Sequence, residues 1–143
     1  MEGITMKQKL YFLVVLSPLI AICLPFTAVA VAQQDNGLEI ATAAICRNVV
    51  DREPVDAGTS FEAPVGKLCC FTHVTGAQGA TEIYHVWYFG ESERAVVKLQ
   101  VNAASWRTYS SKIIQPREIG EWRVEVLGPE GDVLKAVHFQ ITP

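Results

Sequence analysis

The chain has 143 residues, of which 50% are hydrophobic and 19% are charged, with 12 basic side chains against 15 acidic ones for a net charge of −3. This length corresponds to one modest domain, and the chain lacks the basic surplus that nucleic-acid binding and polybasic membrane docking require. The apolar fraction and the scattered charges also exclude a disordered or low-complexity chain. The sequence therefore predicts a folded domain with no nucleic-acid partner.

The N-terminal segment predicts export. Leu10–Ala32 carries no charge and follows Lys7 and Lys9, and small residues at the end of this run fit the cleavage rule of a secretory signal peptide. Residues 1–32 are therefore predicted to be a signal peptide, which makes the domain periplasmic or secreted. The alternative is an uncleaved inner-membrane anchor over residues 10–32, because about 20 apolar residues span a bilayer. The domain faces outward in both cases, and the membrane is a partner only in the second.

Residues 33–37 are polar and are predicted to link the signal peptide to a single domain over residues 38–143. Within this domain, apolar and polar residues alternate in short segments that Gly, Pro, Asn or acidic clusters separate, which is typical of β-strands. In chain order the predicted strands are 38–50, 67–74, 81–89, 93–101, 107–113, 121–127 and 133–141. The last two are expected to form a hairpin. About seven short strands predict an immunoglobulin-like β-sandwich, with a small β-barrel as the alternative.

Several short motifs are similar to those of a known bacterial family. They are Arg52-Glu53-Pro54-Val55, Cys70-Phe71-Thr72, His85-Val86-Trp87-Tyr88, Trp106-Arg107-Thr108, Ser110-Ser111-Lys112 and Gly120-x-Trp122-x-Val124. On these residues the chain resembles the family catalogued as domain of unknown function 2914, over essentially all of the chain that follows the predicted signal peptide. The resemblance implies an exported or membrane-tethered β-rich module, and it supplies no catalytic or cofactor residues.

Three cysteines follow the predicted signal peptide, and they are Cys46, Cys69 and Cys70. An odd number of cysteines in an oxidising compartment leaves one thiol unpaired. Adjacent residues of a strand point to opposite faces, so only one of Cys69 and Cys70 can readily meet Cys46. Because Cys70 lies on a motif that the family shares, the resemblance favours a disulfide between Cys46 and Cys70.

A metal or redox site is the alternative interpretation of these cysteines. If the strands at 67–74 and 81–89 pair across their turn, His85 lies nearly opposite Cys70, and a thiolate with an imidazole suits copper or zinc. The chain has no strong zinc-binding spacing, and a histidine on a hydrophobic strand face is more often a hydrogen-bonded core residue. The sequence therefore predicts no cofactor, and a metal site at Cys70 and His85 is the alternative hypothesis.

The densest polar and aromatic stretch of the chain contains Trp106, Arg107, Tyr109 and Lys112. Arginine suits a carboxylate or a phosphate, and aromatic rings stack on sugar rings or peptide groups. These four residues are therefore the predicted binding surface, although an extended strand places Trp106 and Lys112 on the face opposite to Arg107. The alternative is a sandwich edge at which the tryptophan fills the core and the arginine pairs with an acidic neighbour such as Glu53.

The sequence shows no recognisable arrangement of catalytic groups. Ser110 and Ser111 have no acid-base partner at a known spacing, so the protein is predicted not to be an enzyme. We expect a non-enzymatic binding or scaffolding module of the cell envelope, whose partner is an envelope protein or a glycan. The alternative function is metal or redox handling in the envelope by Cys70 or Cys69 together with His85.

Overall fold

A computed structural model describes residues 37–143. The predicted signal peptide or anchor, and all but the last residue of the predicted linker, lie outside the described residues. Within this range no helix is long and apolar enough to cross a membrane. The strands are β1 Glu39–Cys46, β2 Asn48–Val50, β3 Glu53–Val55, β4 Ser60–Glu62, β5 Gly66–Thr75, β6 Thr81–Phe89, β7 Ser92–Val101, β8 Ser105–Ile114, β9 Gly120–Leu127 and β10 Val133–Thr142.

The strands form two larger sheets and one small one. The first sheet has the order β1-β5-β8, the second has the order β4-β10-β9-β6-β7, and β2 pairs with β3. Every pair is antiparallel except β4 with β10, which is parallel. Neither larger sheet closes on itself within residues 37–143, so the predicted all-β sandwich is confirmed and the barrel alternative is wrong.

The chain crosses between the two larger sheets after β4, after β5, after β7 and after β8, as the crossing connections of immunoglobulin-like sandwiches require. The predicted hairpin of the last two strands is confirmed, because Val133 pairs with Leu127 and Ile141 pairs with Gly120. The strands at 67–74 and 81–89 do not pair as the alternative metal site required, because β5 and β6 lie in different sheets. This difference moves His85, on β6, across the core from the strand that it was expected to adjoin.

The longest predicted strand, 38–50, divides at Arg47 into β1 and β2. The backbone N–H of Arg47 donates to the carbonyl oxygen of Val55 at 3.1 Å, and the chain turns back as the β2–β3 hairpin. β3 and β4 are not among the predicted strands, since each has three residues and so offers too short an alternation to recognise.

The main core lies between the two larger sheets and follows the alternation of the strands. On β9, Trp122, Val124 and Val126 are almost fully buried, while the residues between them are half-buried. Trp122 stacks between Phe89 and Phe139, with ring centroids 4.9 Å and 5.9 Å apart respectively. These aromatic contacts connect β6, β9 and β10 on the core side of the five-stranded sheet.

Candidate binding site

β8 presents two different faces, as its alternation predicts. Arg107 and Tyr109 lie on the exposed outer face of the three-stranded sheet. Trp106 points to the other side, where it is half-buried and packs against a cluster that includes Val74. Trp106 thus packs toward the interior, in the direction that the alternative of a sandwich edge describes, and it also lines the larger cleft described below.

The β2–β3 hairpin covers part of this outer face. β2 contacts β5 and β3 contacts β1, and Val49 packs on a buried cluster that includes Phe71. Asp51 and Arg52 form the two-residue turn of the hairpin, with φ values of 50° and 63°. Positive φ at both central residues is the geometry of a type I′ turn. The turn brings Arg52 to the same surface as Arg107.

Two clefts lie between this turn and β8. The larger has a volume of about 270 Å³ and is lined by Arg52, Ser105, Trp106 and Arg107. The smaller has a volume of about 120 Å³ and is lined by Val49, Arg52, Phe71, Arg107, Thr108 and Tyr109. Three of the four predicted binding residues therefore contribute to one surface. We call the two cavities together the arginine clefts, because Arg52 and Arg107 line both.

The charged side chains that line the arginine clefts are those of Arg52 and Arg107. Arg107 forms an ion pair with Glu53 through its Nη1 atom, which confirms the predicted acidic neighbour. No ion pair to Arg52 forms within residues 37–143. His73 pairs with Arg107 across the sheet, and its Nε2 atom lies 2.8 Å from the hydroxyl oxygen of Ser105. The clefts thus combine an unpaired guanidinium, a solvent-exposed ion pair and a half-buried indole.

The turn residue Arg52 lies in a backbone conformation that favours glycine. We expect Arg52→Gly to raise the free energy of unfolding by about 0.5–1 kcal/mol. The left-handed conformation costs a residue with a side chain about 1–2 kcal/mol in the folded state. Glycine avoids this cost, and the greater backbone entropy that glycine has in the unfolded chain offsets only part of the gain. Urea unfolding measures this change. Glu130→Gly is the matched control, since Glu130 is an exposed turn residue without a positive φ, and it should lower stability. Equal losses in both variants would show that the turn at Arg52 is unstrained.

Lys112 does not reach the arginine clefts. It pairs with Leu68 on β5, and its Nζ atom donates to the carbonyl oxygen of Ile113 at 3.2 Å. It follows Arg107 by five positions along an extended strand, which corresponds to about 16 Å. The structure therefore separates Lys112 from the other three predicted binding residues, and Arg52 supplies the second positive charge at the clefts.

The three cysteines of the described range are buried, free thiols. Cys46 pairs with Cys69 across β1 and β5, whereas Cys70 pairs with Ile45. Cys46 and Cys69 cluster on the outer face beneath the hairpin, and Cys70 belongs to the core between the sheets. The predicted partnership of Cys46 and Cys70 is therefore wrong, because the two side chains lie on opposite faces of the sheet.

Burial makes all three thiols poor nucleophiles. It raises the pKa of Cys46 to about 11, to which the neighbouring Cys69 contributes. Burial also raises the pKa of Cys69 and raises that of Cys70 to about 12. A thiol reacts through its thiolate, so the folded domain should react slowly with thiol reagents at neutral pH.

His85 lies in the core, where two hydroxyl groups hold its ring. Its Nε2 atom lies 2.8 Å from the hydroxyl oxygen of Thr72, and its Nδ1 atom lies 2.7 Å from that of Ser110. The Ser110 oxygen also accepts the indole N–H of Trp87 at 3.0 Å. Burial lowers the pKa of His85 to about 4, so the imidazole is neutral at physiological pH. We call these four side chains the buried polar network.

The alternative hypothesis of a metal site at Cys70 and His85 depended on pairing β5 with β6, and that pairing does not occur. Both ring nitrogens of His85 face hydroxyl oxygens instead. Within residues 37–143 no three His, Cys, Asp or Glu side chains are grouped so as to hold a metal ion. The contact between Ser110 and His85 was missed in the sequence because the two residues belong to different sheets. A polar residue at an inward position on each of β6 and β8 was the available signal.

Comparison with known proteins bears on the C-terminal part of this domain. Residues 80–141 match a family model. The family is described as a protein of unknown function, DUF2914. This match confirms the resemblance from β6 into β10 and includes Trp106 and Arg107, while Arg52 and Glu53 lie outside the matched range. The description of DUF2914 names no activity, so the matched part contributes no function to the arginine clefts.

No curated protein matches this chain. Among solved structures, the chain is similar to the beta-D-glucoside glucohydrolase from Trichoderma reesei, with 11% sequence identity and a TM-score of 0.35. The alignment covers 73% of this chain and 19% of that chain. A similarity of this size supports no inference from that protein about the fold or the function of the DUF2914-like domain.

Proposed function

We propose that this protein is a non-enzymatic binding module of the bacterial cell envelope, and that it binds an acidic glycan. The observation that supports the proposal is the meeting of Arg52 and Arg107 at two clefts beside Trp106. Export to the envelope is supported by the basic and apolar pattern of residues 1–32, which is typical of a signal peptide.

The positive charge supports an acidic ligand. A guanidinium recognises a carboxylate through parallel, charge-assisted hydrogen bonds, and Arg107 already pairs with the carboxylate of Glu53. An exposed ion pair of this kind stabilises a protein by at most about 1 kcal/mol. A ligand carboxylate can therefore replace Glu53 at small cost, while Arg52 adds a second positive charge. In this arrangement Glu53 competes with the ligand.

The size and lining of the clefts support a glycan. The larger cleft, of about 270 Å³, falls just below the range of about 300–1,000 Å³ for pockets that hold drug-sized ligands, and therefore suits one or two sugar rings. A stable protein interface covers about 800 Å² on each partner, which is a broader surface than these clefts. Tyr109 is 49% exposed and offers a ring face on which a sugar can stack.

Capture from a bacterial envelope extract on the immobilised full-length protein tests this proposal. We expect the protein to retain a glycan that contains carboxyl groups. Arg107→Gln or Arg52→Gln should reduce retention about tenfold, since a hydrogen bond to a charged group contributes about 1.5–3 kcal/mol. Glu53→Gln should increase retention about two- to threefold, because it removes the internal competitor.

Arg117→Gln is the matched control for this experiment. Arg117 is exposed and follows the end of β8, so the variant loses the same charge at least about 20 Å along the strand from Arg107. Equal loss of retention in the Arg117 and Arg107 variants would contradict a specific site. Retention that survives reduction of the glycan carboxyl groups to alcohols would contradict an acidic ligand. Loss of the retained ligand after the extract is treated with a protease before capture would contradict a glycan.

A further inference from the structure

The outer face of the three-stranded sheet holds two thiols in register. Cys46 on β1 and Cys69 on β5 are partners in the antiparallel ladder, and both belong to the cluster beneath the β2–β3 hairpin. Partner residues in antiparallel strands have Cα atoms about 4.5–5.5 Å apart, which lies within the range of about 4.4–6.8 Å for disulfides. The backbone geometry therefore already matches that of a disulfide.

The direction of the Cys46 side chain agrees with this geometry. Its Sγ atom lies 3.8 Å from the carbonyl oxygen of Cys69, so the side chain extends toward β5. Cys70 is the competing partner, but it lies in the core on the opposite face and pairs with Ile45 on β1 and with Ser110 on β8. A bond from Cys46 to Cys70 would require one of these strands to leave its register.

We propose that Cys46 and Cys69 form a cross-strand disulfide when the domain folds in the presence of a low-molecular-weight disulfide, and that Cys70 remains the unpaired thiol. One cysteine thiolate attacks the oxidant disulfide, forms a mixed disulfide and releases one thiol. The second cysteine thiolate then attacks the mixed disulfide, forms the Cys46–Cys69 bond and releases the second thiol. The two protons that the cysteines lose end on the two released thiols, so the oxidant is reduced by the two electrons that the cysteines lose.

The timing of this reaction follows from burial. Cys46 and Cys69 are 0% and 1% exposed, so an external disulfide cannot reach them once the hairpin covers them. The bond should therefore form during folding, and the folded, reduced domain should resist the same oxidant. A bond at this position also joins the end of β1 to β5, at the base of the hairpin that carries Arg52. It therefore restrains the part of β5 that contains Phe71, which lines the smaller cleft.

The test uses the full chain with Cys23→Ala, so that the thiols of the described domain are the only ones that react. Each sample is refolded from denaturant with reduced and oxidised glutathione, alkylated, and mapped by mass spectrometry without reduction. We expect a linked pair of peptides in this chain and in its Cys70→Ala variant, and no link in the Cys69→Ala or Cys46→Ala variants. The link should raise the thermal unfolding midpoint by roughly 10 °C over the reduced form.

Fragmentation of the linked peptide between residues 69 and 70 assigns the bond even if a variant fails to fold. A fragment that places the bond at Cys69 supports the proposal. A bond at Cys70, a link that persists in the Cys69→Ala variant, or a refolded chain in which all three cysteines are alkylated would overturn it. Ready formation of the bond from folded, reduced protein would contradict the proposed order of folding and oxidation.

Discussion

Ser110→Ala is expected to lower the free energy of unfolding by roughly 3 kcal/mol. The Ser110 hydroxyl oxygen is the acceptor for the indole N–H of Trp87 at 3.0 Å and lies 2.7 Å from Nδ1 of His85. Both partners are fully buried, so no water replaces the lost hydroxyl. Each buried polar group left without a partner costs about 1–3 kcal/mol. Urea unfolding of the variant measures the loss.

Ser111→Ala is the matched control. Ser111 is the next residue of β8, carries the same side chain and points to the exposed face. Surface substitutions of this kind usually change stability by less than about 0.5 kcal/mol. The difference in free energy of unfolding between the two variants therefore measures the contribution of the buried polar network, because the change in strand propensity from serine to alanine is common to both. Similar losses in both variants, or a negligible loss in Ser110→Ala, would show that the network does not stabilise the fold.

Acidification from pH 7.5 to pH 5 is expected to remove about 2 kcal/mol of stability through His85. Burial lowers the pKa of this residue from 6.5 to about 4, so the unfolded chain binds a proton in this window while the folded domain does not. Stability is therefore fully present above pH 6.5 and falls as the pH falls from 6.5 towards 4. Urea unfolding at several pH values measures the slope.

His73 and His138 are the controls for the pH dependence. His73 is half-buried and His138 is exposed, and neither belongs to the buried polar network. A double variant, His73→Gln with His138→Gln, should keep the slope of stability against pH. An NMR titration identifies the responsible group directly, because the His85 ring should stay neutral at pH 5. A titration midpoint for His85 near 6.5 would exclude this origin.

The positions of the longer strands follow from the sequence because alternation is a local property. The predicted strand at 81–89 has the bounds of β6, and the prediction that Trp106 and Arg107 face opposite sides of β8 is confirmed. Alternation does not say which strands become neighbours. The turn after β5 looks like a hairpin in sequence, yet the chain crosses there to the other sheet, so β5 and β6 do not pair as the alternative metal site required.

The arginine clefts show a similar limit. Arg107 is predicted because it lies among aromatic residues, while Arg52, which belongs to a motif of the family resemblance, is not part of the predicted binding surface. Its role depends on the short β2–β3 hairpin, which offers too few residues for a recognisable pattern and folds back at Arg47. The choice between Cys69 and Cys70 also depends on information that the sequence lacks, namely the register of β1 against β5.

The most direct test of the account is an NMR titration of the protein with a glucuronate-terminated oligosaccharide and with its glucose-terminated analogue. We expect the acidic sugar to shift the indole N–H of Trp106 and the backbone amides of Arg52 and Arg107. Val96, an exposed residue of β7 in the other sheet, should not shift, and the neutral analogue should have little effect. Equal shifts with both sugars, shifts centred on β7, or no shift with the acidic sugar would contradict binding at the arginine clefts.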